Sequence, residues 1–389
     1  MNKTTALIEK IMADFSLRTC LKGENCIPVR YLWTDAFAVC NYLCLFIKTG
    51  DVSYKDDALL LIDQVHHILG KHRMDDARRG WISGLEETEG EKYPTIGGLR
   101  IGKKNSERKR DEPFDEKAEW EQDGQYFHYL TKWMHALNLT AQITGNPKYN
   151  IWAVELAKTA YEKFTYTALD HTKRMYWKMS IDLTYPLVTS MGQHDAIDGF
   201  VTYLELAKAV MRNNIDLNLN DQISSLFQIS QTMNMDSSDP LGIGGLLSNA
   251  CILTQFIAET KMVDLSKMLL SLLASSLKGI ELFMQTDTLR YPANYRLAFR
   301  ELGLSIGLHG IEKMQKVIKE NSHSFTNYIA LNSKLDDLKI YLPIYDIIEN
   351  YWLKSENQKS STWTEHININ SVMLATSLDS ECFLSVKLN

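Results

Sequence analysis

Six times along this 389-residue chain, a short polar segment rich in Asp, His or aromatic residues leads directly into an apolar, helix-like segment. A more surface-like helical segment lies between most consecutive pairs, so that enclosed and exposed helices alternate along nearly the whole chain. This alternation predicts a ring of six helical hairpins whose polar junctions gather at one end. The junctions are Trp33-Thr34-Asp35, Asp123 to His128, Gln193-His194-Asp195, Asp239 to Gly242, Asn294-Tyr295-Arg296, and Thr364 to Asn368.

Composition restricts the classes of partner and the compartment. The net charge of −6 argues against a basic nucleic-acid-binding face. The N-terminal segment is patterned as an amphipathic helix and not as a signal peptide, and no stretch reaches the ~18 apolar residues of a membrane span. The six cysteines show no zinc-type spacing, and Cys20 and Cys26 could either pair or remain loop thiols. The simplest interpretation is a reduced cytoplasmic protein that binds neither nucleic acid nor membrane, with its oligomeric state left open.

The long connections also matter for function. Residues 74–122 and 165–194 are too long to be simple turns, and we predict that both insertions form part of a cleft wall within one domain spanning residues 1–389. The alternative for residues 74–122 is a mobile surface insertion. In the fifth hairpin, the pattern predicts one helix over Arg296–His309 and a separate segment over Ile311–Lys319.

Four of the junction sequences resemble those of a known architecture. They are Trp33 to Phe37, Asp123 to His128, Asp239 to Gly245 and Tyr291 to Arg296. With twelve alternating helices, the chain resembles the all-α (α/α)6 toroid shared by six-hairpin glycosidases and the N-acylglucosamine 2-epimerase group. The resemblance implies an active site at the mouth, where the inner helices begin. Met175 to Met179 alternates like a short strand, so the long loops could also hold a short β-hairpin at the mouth. It also implies a carbohydrate-active enzyme, by analogy of fold.

The junction that begins at Asp123 has an unusual helix after it. Gln125, His128, Lys132 and His135 fall on one arc of this enclosed helix. Buried Lys and His side chains need a partner or a wet cavity. The stripe therefore either lines the lumen of the toroid or is balanced by neighbouring carboxylates.

Carboxylates at the helix starts are the second candidate group. An Asp at a helix start is commonly an N-cap, and this interpretation applies to each of them singly. Glycoside hydrolysis, however, needs two carboxyl groups facing each other across a sugar. Asp123 and Asp195 open consecutive inner helices, and we predict them as the catalytic pair.

Histidines allow a different chemistry. Two facing imidazoles could remove a proton beside a sugar carbonyl and return it on the other face. His128, His194 and His366 all lie at junctions, and together with Asp195 they would also make a plausible metal-ligand set. No short-range spacing supports a metal, so we predict neither metal nor cofactor.

Arginines and aromatics complete the predicted site. Arg296 and Arg300 could hold an acidic sugar through bidentate hydrogen bonds, or Arg296 could form an internal salt bridge with Glu301. Aromatic rings such as Trp33 and Trp177 suit the apolar faces of sugars.

The functional prediction is a glycoside hydrolase acting on a small or oligomeric saccharide through paired carboxylates. One alternative is a sugar 2-epimerase or isomerase with a His pair, and another is a non-catalytic carbohydrate-binding or scaffold protein. The predicted catalytic residues are Asp123, Asp195, His128 and His194; the predicted substrate-binding residues are Trp33, Asp35, Tyr126, Lys132, Trp177, Arg296, Arg300 and His366.

Overall fold

The computed structural model describes residues 3–23, 26–213, 215 and 217–386. Its contacts concentrate within two compact units. We name Ser16–Met233 the N-terminal unit, and Met1–Phe15 with Asn234–Asn389 the C-terminal unit. Helix α1 (Lys3–Arg18) begins the described chain. The single domain predicted for residues 1–389 stays a prediction.

The N-terminal unit alternates enclosed and exposed helices, as the apolar periodicity predicts. The enclosed helices are buried along most of their length, whereas the intervening helices bury one face only. Gly50 and Gly145 end two enclosed helices with φ of 72° and 68°, a left-handed conformation that glycine adopts without a Cβ clash. The enclosed helices are α2 (Leu32–Thr49), α6 (Phe127–Thr144) and α8 (Asp195–Arg212); the exposed ones are α3 (Val52–Leu69), α7 (Lys148–Phe164) and α9 (Asn220–Gln231).

The two long insertions contain short helices and strands. The predicted β-hairpin is confirmed, and β4 also pairs antiparallel with the residues just before α6. The elements are α4 (Glu87–Lys92), α5 (Glu116–Glu121), β1 (Gln125–Tyr126), β2 (Thr165–Thr167), β3 (Lys173–Met175), β4 (Lys178–Met179) and β5 (Pro186–Val188). β1 pairs with β4, β4 with β5, and β2 with β3.

Arg78 connects the two insertions to each other. Its guanidinium group lies 2.7 Å from the Asp182 carboxylate and 2.5 Å from that of Glu107. Glu107 in turn accepts a hydrogen bond from the backbone N–H of Ile181. Residues 74–122 and 165–194 are therefore tied together by polar contacts, and the cleft wall predicted for them stays a prediction.

The C-terminal unit is built on two closely packed helices, α10 and α12. A Cβ added at Gly244 would lie 1.9 Å from the carbonyl oxygen of Gly303, and one at Gly307 would lie 2.6 Å from that of Gly244. The glycines after Asp239 therefore permit close helix packing. The helices are α10 (Pro240–Thr260), α11 (Ser266–Gln285), α12 (Ala298–Glu320), α13 (Tyr328–Lys339), α14 (Pro343–Trp352), α15 (Ser361–Thr364) and α16 (Ile367–Leu378).

The predicted break between Arg296–His309 and Ile311–Lys319 is wrong, because α12 runs through Gly310 without interruption. A Cβ at Gly310 would lie 3.1 Å from the Cβ of Cys251 on α10. The glycine therefore serves a close helix contact and not helix termination. Segments α13 and α14 follow as separate helices.

Two helices of the C-terminal unit reach the length and hydropathy of a membrane span. They are α10 and α11. In the most apolar 18-residue stretch of each helix, 72% of α10 and 50% of α11 is buried inside the protein. Core helices of soluble proteins show the same property, so this finding is weak evidence for a membrane. The prediction of no membrane partner stays a prediction.

The cysteines are of two kinds. Cys20 and Cys26 form a disulfide with Cα atoms 5.9 Å apart, which realises the paired alternative. Cys40, Cys44, Cys251 and Cys382 are buried free thiols. The disulfide closes a loop of the N-terminal unit that leads toward α2.

Candidate functional site

Three of the six junctions meet in the N-terminal unit. Nδ1 of His128, at the start of α6, lies 3.3 Å from Oδ1 of Asp195, the first residue of α8. The ring of Trp33, at the start of α2, lies 5.9 Å from that of His128 and 5.2 Å from that of Tyr129. The structure therefore brings the predicted residues Trp33, His128 and Asp195 together. We call this group the His128 site.

The polar stripe of α6 faces a matching acidic stripe on α8. Besides the His128–Asp195 contact, Lys132 Nζ lies 3.5 Å from Asp198, and His135 Nδ1 lies 3.1 Å from Glu205. Carboxylates thus balance the whole stripe, as one of the two predicted interpretations requires. The exposed fraction of the histidine side chain rises from 6% at His135 to 22% at His128, so the stripe reaches solvent at the helix starts.

The His128 site contains buried polar atoms that lack hydrogen-bond partners among the described residues. These atoms are Nε1 of Trp33, Nδ1 of His128 and Oδ2 of Asp195. The His128–Asp195 contact is close enough for an ion pair but misses hydrogen-bond geometry. Buried polar groups are nearly always satisfied, so these three atoms on residues in contact are available for hydrogen bonds to water or to a polar ligand.

Aromatic side chains extend outward from His128. The Tyr126 ring lies 5.3 Å from that of His128 and 5.4 Å from that of Trp177, and the Trp177 ring lies 5.1 Å from that of Trp120. We call Tyr126, Trp177 and Trp120 the aromatic wall. Burial raises the pKa of the Tyr126 phenol well above its usual value, so this hydroxyl stays protonated at neutral pH.

Asp123 occupies a different environment from the one predicted. Its carboxylate is 0% exposed and lies 2.8 Å from Arg100 and 3.4 Å from Arg73. It also accepts hydrogen bonds from the backbone N–H groups of Gly102, Lys103 and Gly124. The structure pairs Asp195 with His128, whereas the charge of Asp123 organises the insertion that precedes α6.

Asp35 is also a buried structural group in this arrangement. Its carboxylate accepts a hydrogen bond from the backbone N–H of Tyr31 and lies 3.5 Å from the Arg30 guanidinium. Burial raises the pKa of Asp35 to about 6, and the positive charge of Arg30 only partly offsets this. The residue therefore stabilises the start of α2 from within the core.

The remaining three junctions meet in the C-terminal unit. Arg300 on α12 pairs with Asp239 before α10 at 2.9 Å. The ring of Phe299 lies 5.7 Å from that of His366, and its backbone N–H donates to Asn370 on α16. His366 and Arg300 thus lie at neighbouring helix starts, as the sequence predicts.

Arg296 is an internal structural residue. It is 1% exposed, and its Nε and Nη2 bind the two oxygens of Glu301 at 2.8 and 2.7 Å. The Trp352 indole donates to the same carboxylate, and the Tyr351 ring lies 3.7 Å from the guanidinium carbon. The alternative of an internal salt bridge therefore describes Arg296, and no guanidinium fork with Arg300 is formed.

Sequence reasoning missed several residues that shape the His128 site. Asp198 and Glu205 lie three and ten residues after Asp195, so all three carboxylates share one arc of α8. That spacing complements the stripe on α6 and could have been detected. His194 is half-buried and immediately precedes α8, and its place beside Asp195 follows from the sequence itself.

The described residues contain no group of three or more His, Cys, Asp or Glu side chains arranged to hold a metal ion. His128 and Asp195 are in contact, but His366 belongs to the C-terminal unit.

These helices and junctions define an all-α protein of the (α/α)6 toroid class, so the predicted fold class is confirmed. No protein-family model and no curated protein sequence matches the chain.

Several solved enzymes share this fold over almost their whole length. The α-1,6-mannanase of Salegentibacter sp. HEL1_6 is 11% identical with a TM-score of 0.53, over 98% of this chain and 100% of its own. A GH76 α-mannanase of Bacteroides thetaiotaomicron is 9% identical with a TM-score of 0.56, over 98% and 97%. Cellobiose 2-epimerase of Spirochaeta thermophila is 11% identical with a TM-score of 0.51, over 98% and 100%. An inactive variant of the first enzyme, with two neighbouring aspartates replaced, forms a complex with α-1,6-mannotetrose.

Proposed function

We propose that this chain is a carbohydrate-active enzyme in which His128 and Asp195 carry out proton transfer on a sugar, as in an isomerase or epimerase. The observation that carries the proposal is the convergence of unsatisfied buried atoms on Trp33, His128 and Asp195. Sugar hydroxyl groups both donate and accept hydrogen bonds, so a sugar could satisfy the Trp33 donor and the Asp195 acceptor together. The fold shared with sugar-active enzymes agrees with this proposal.

The geometry assigns a role to each side chain. Nδ1 of His128 faces Asp195, so Nε2 is the nitrogen available to substrate. Neutral His128 removes the proton from the carbon beside the sugar carbonyl as the C–H bond breaks, leaving an enediolate. The imidazolium ion, stabilised by Asp195, then returns the proton to the neighbouring carbon while the hydroxyl proton passes between the two enediolate oxygens, which isomerises the sugar. If the bound enediolate turns first, the proton returns to the opposite face of the original carbon, which epimerises the sugar. The contact of 3.3 Å is one that substrate binding would tighten.

The alternative function is glycoside hydrolysis, and one feature of α8 favours it. Asp195 and Asp198 lie one helical turn apart, a spacing that places their Cβ atoms about 5–6 Å from each other. Retaining glycosidases hold their carboxyl groups about 5–5.5 Å apart. Asp198, however, is already paired with Lys132 at 3.5 Å.

The comparison with the Salegentibacter mannanase also bears on this choice. The inactive variant of that enzyme lacks two neighbouring aspartates. In this chain, neighbouring aspartates occur at positions 56–57, 75–76 and 336–337, all outside the six junctions. We retain proton transfer as the proposed function and hydrolysis as the alternative.

One experiment separates the functions. The protein would be incubated in deuterated water with aldoses, ketoses, cellobiose and α-1,6-linked mannose oligosaccharides, and the products followed by NMR and by reducing-end assay. Incorporation of deuterium at the carbon beside the carbonyl is the expected result. New reducing ends without deuterium would establish hydrolysis instead. If neither deuterium incorporation nor new reducing ends are observed, both enzyme functions are overturned.

The matched variants are His128→Gln, Asp195→Asn and, as control, His67→Gln. The first two should lose roughly 10²–10⁴-fold in turnover, the usual contribution of a general acid–base group. His67 lies on the exposed face of α3 beside Asp63, so its replacement should leave turnover unchanged. Full activity of His128→Gln would remove this residue from the mechanism.

A further inference from the structure

We infer that the aromatic wall is a binding platform for an extended saccharide, whose reacting end lies at His128 and whose remaining units run toward Trp120. The inference rests on the proposed function and names its substrate class as a neutral oligosaccharide. Trp177 joins the outer ring of Trp120 to the inner ring of Tyr126. The wall therefore continues from His128 over three successive rings.

Trp120 is exposed and yet held firmly in place. Its side chain lies on the six-residue helix α5 and is 44% exposed. The Asp115 carboxylate accepts a hydrogen bond from the backbone N–H of Ala118 and caps the start of this helix. An exposed aromatic residue on a fixed backbone offers a ring face on which a ligand can stack.

A buried lysine fixes the same helix from behind. Lys178 Nζ is fully buried, lies 2.8 Å from the Glu119 carboxylate and donates to the carbonyl groups of Glu119 and Gln122. Arg108 pairs with the other oxygen of Glu119 at 2.9 Å. Helix α5 is thus anchored on both sides of Trp120, and binding a ligand there requires little ordering of the backbone.

Polar groups run beside the wall, as a sugar site requires. The hydroxyl groups of Tyr31 and Tyr129 lie 2.8 Å apart, and the Tyr129 ring lies 5.2 Å from that of Tyr126. The Lys103 ammonium group lies 5.6 Å from the Tyr31 ring and close enough to Glu121 to feel its charge. These opposite charges favour a neutral saccharide over an acidic one. Aromatic faces bordered by hydroxyl and charged groups suit a ligand with apolar C–H faces and many hydroxyl groups.

The test is a calorimetric titration of the full-length protein with two matched series: mannose to α-1,6-linked mannotriose, and glucose to cellotriose. The affinity of the wild-type protein should rise with the length of the saccharide in one of these two series. Trp120→Ala should lose on the order of tenfold of the affinity for the trisaccharide and little of that for the monosaccharide. Trp120→Phe, which keeps an aromatic face, should recover part of the loss.

Phe114→Ala is the matched control, because Phe114 is an exposed aromatic residue of the same insertion and stacks on Arg108, outside the wall. It should bind every sugar as the wild type does. The inference would be overturned if affinity did not rise with chain length, or if Trp120→Ala left the affinity for the trisaccharide unchanged. It would also be overturned if the wild type formed a dimer that Trp120→Ala abolished. If monosaccharides still exchange deuterium through His128, the proposed function stands while this inference fails.

Discussion

Arg100 and Asp123 form a buried ion pair, with 2.8 Å between Nη1 of the arginine and Oδ2 of the aspartate. The guanidinium also donates to the backbone carbonyls of Ile68 and Lys71. Asp123 therefore links the end of α3, the insertion and the segment that begins α6. Its negative charge is therefore part of a buried polar network, and its predicted catalytic role stays a prediction.

Replacement of Asp123 by Asn should accordingly reduce stability. Removing one partner of a buried ion pair costs roughly 3–5 kcal/mol, because the other charge stays buried without compensation. Asp195→Asn should instead retain a thermal midpoint close to that of the wild type while losing turnover. Calorimetry and turnover measured on both variants test this contrast, and an Asp123→Asn protein of wild-type stability would contradict it.

The hairpin alternation and the positions of the junctions could be read from the sequence because apolar periodicity marks enclosed helices directly. The partners of the junction residues could not be read from the sequence. Asp123 and Asp195 look equivalent as helix-start carboxylates, but the first faces Arg100, 23 residues earlier, and the second faces His128, 67 residues earlier. Such long-range pairings depend on how the insertions fold back, which local spacing does not record.

The same limit applies to Arg296 and Arg300. One helical turn separates them in sequence, yet Arg296 turns inward to Glu301 while Arg300 stays near the surface with Asp239. The burial of Trp352 beside Glu301 decides the outcome, since its indole N–H and the Arg296 guanidinium share one carboxylate.

Stability should therefore respond very differently to the two arginines. Arg296→Lys loses the bidentate geometry and the stacking on Tyr351, and we expect a loss of several kcal/mol. Arg300→Gln breaks a pair whose side chains are 37% and 36% exposed, and we expect a loss of at most about 1 kcal/mol. Urea unfolding followed by fluorescence measures both, and equal losses would refute the assignment of Arg296 as structural.

Asp35 should make stability depend on pH in a recognisable direction. Its folded pKa of about 6 lies above the ordinary value of 3.8, so the folded protein binds this proton more tightly than the unfolded chain. Protonated Asp35 therefore stabilises the folded state by roughly 3 kcal/mol at most. This stabilisation is fully present below about pH 3.8 and is lost as the pH rises to about 6. The difference in unfolding free energy between wild type and Asp35→Asn isolates this slope, and a difference that does not change with pH would contradict it.

The deepest pair of the α6–α8 stripe should be energetically coupled. His135 and Glu205 are both buried and lie 3.1 Å apart, so each helps to satisfy the other. A double-mutant cycle with His135→Ala and Glu205→Ala should give a coupling energy of about 1–3 kcal/mol, in the range for partners within one polar network. The matched cycle on the exposed pair Arg174 and Asp170 should give less than about 1 kcal/mol.

Gly192 should control the position of the reactive carboxylate. A Cβ at this position would lie 2.4 Å from Oδ2 and 2.6 Å from Oδ1 of Asp195, so Gly192→Ala must push the carboxylate away from its present place. The obstructing atoms end a side chain, and the fold can therefore adapt while the His128–Asp195 contact of 3.3 Å is lost. We expect turnover to fall by about 10-fold or more with a small change in thermal midpoint, since misplacing a catalytic group by about 1 Å costs up to 10²-fold. In the Asp195→Asn background the same substitution should have little further effect on turnover, and independent, additive losses would show that Gly192 acts elsewhere.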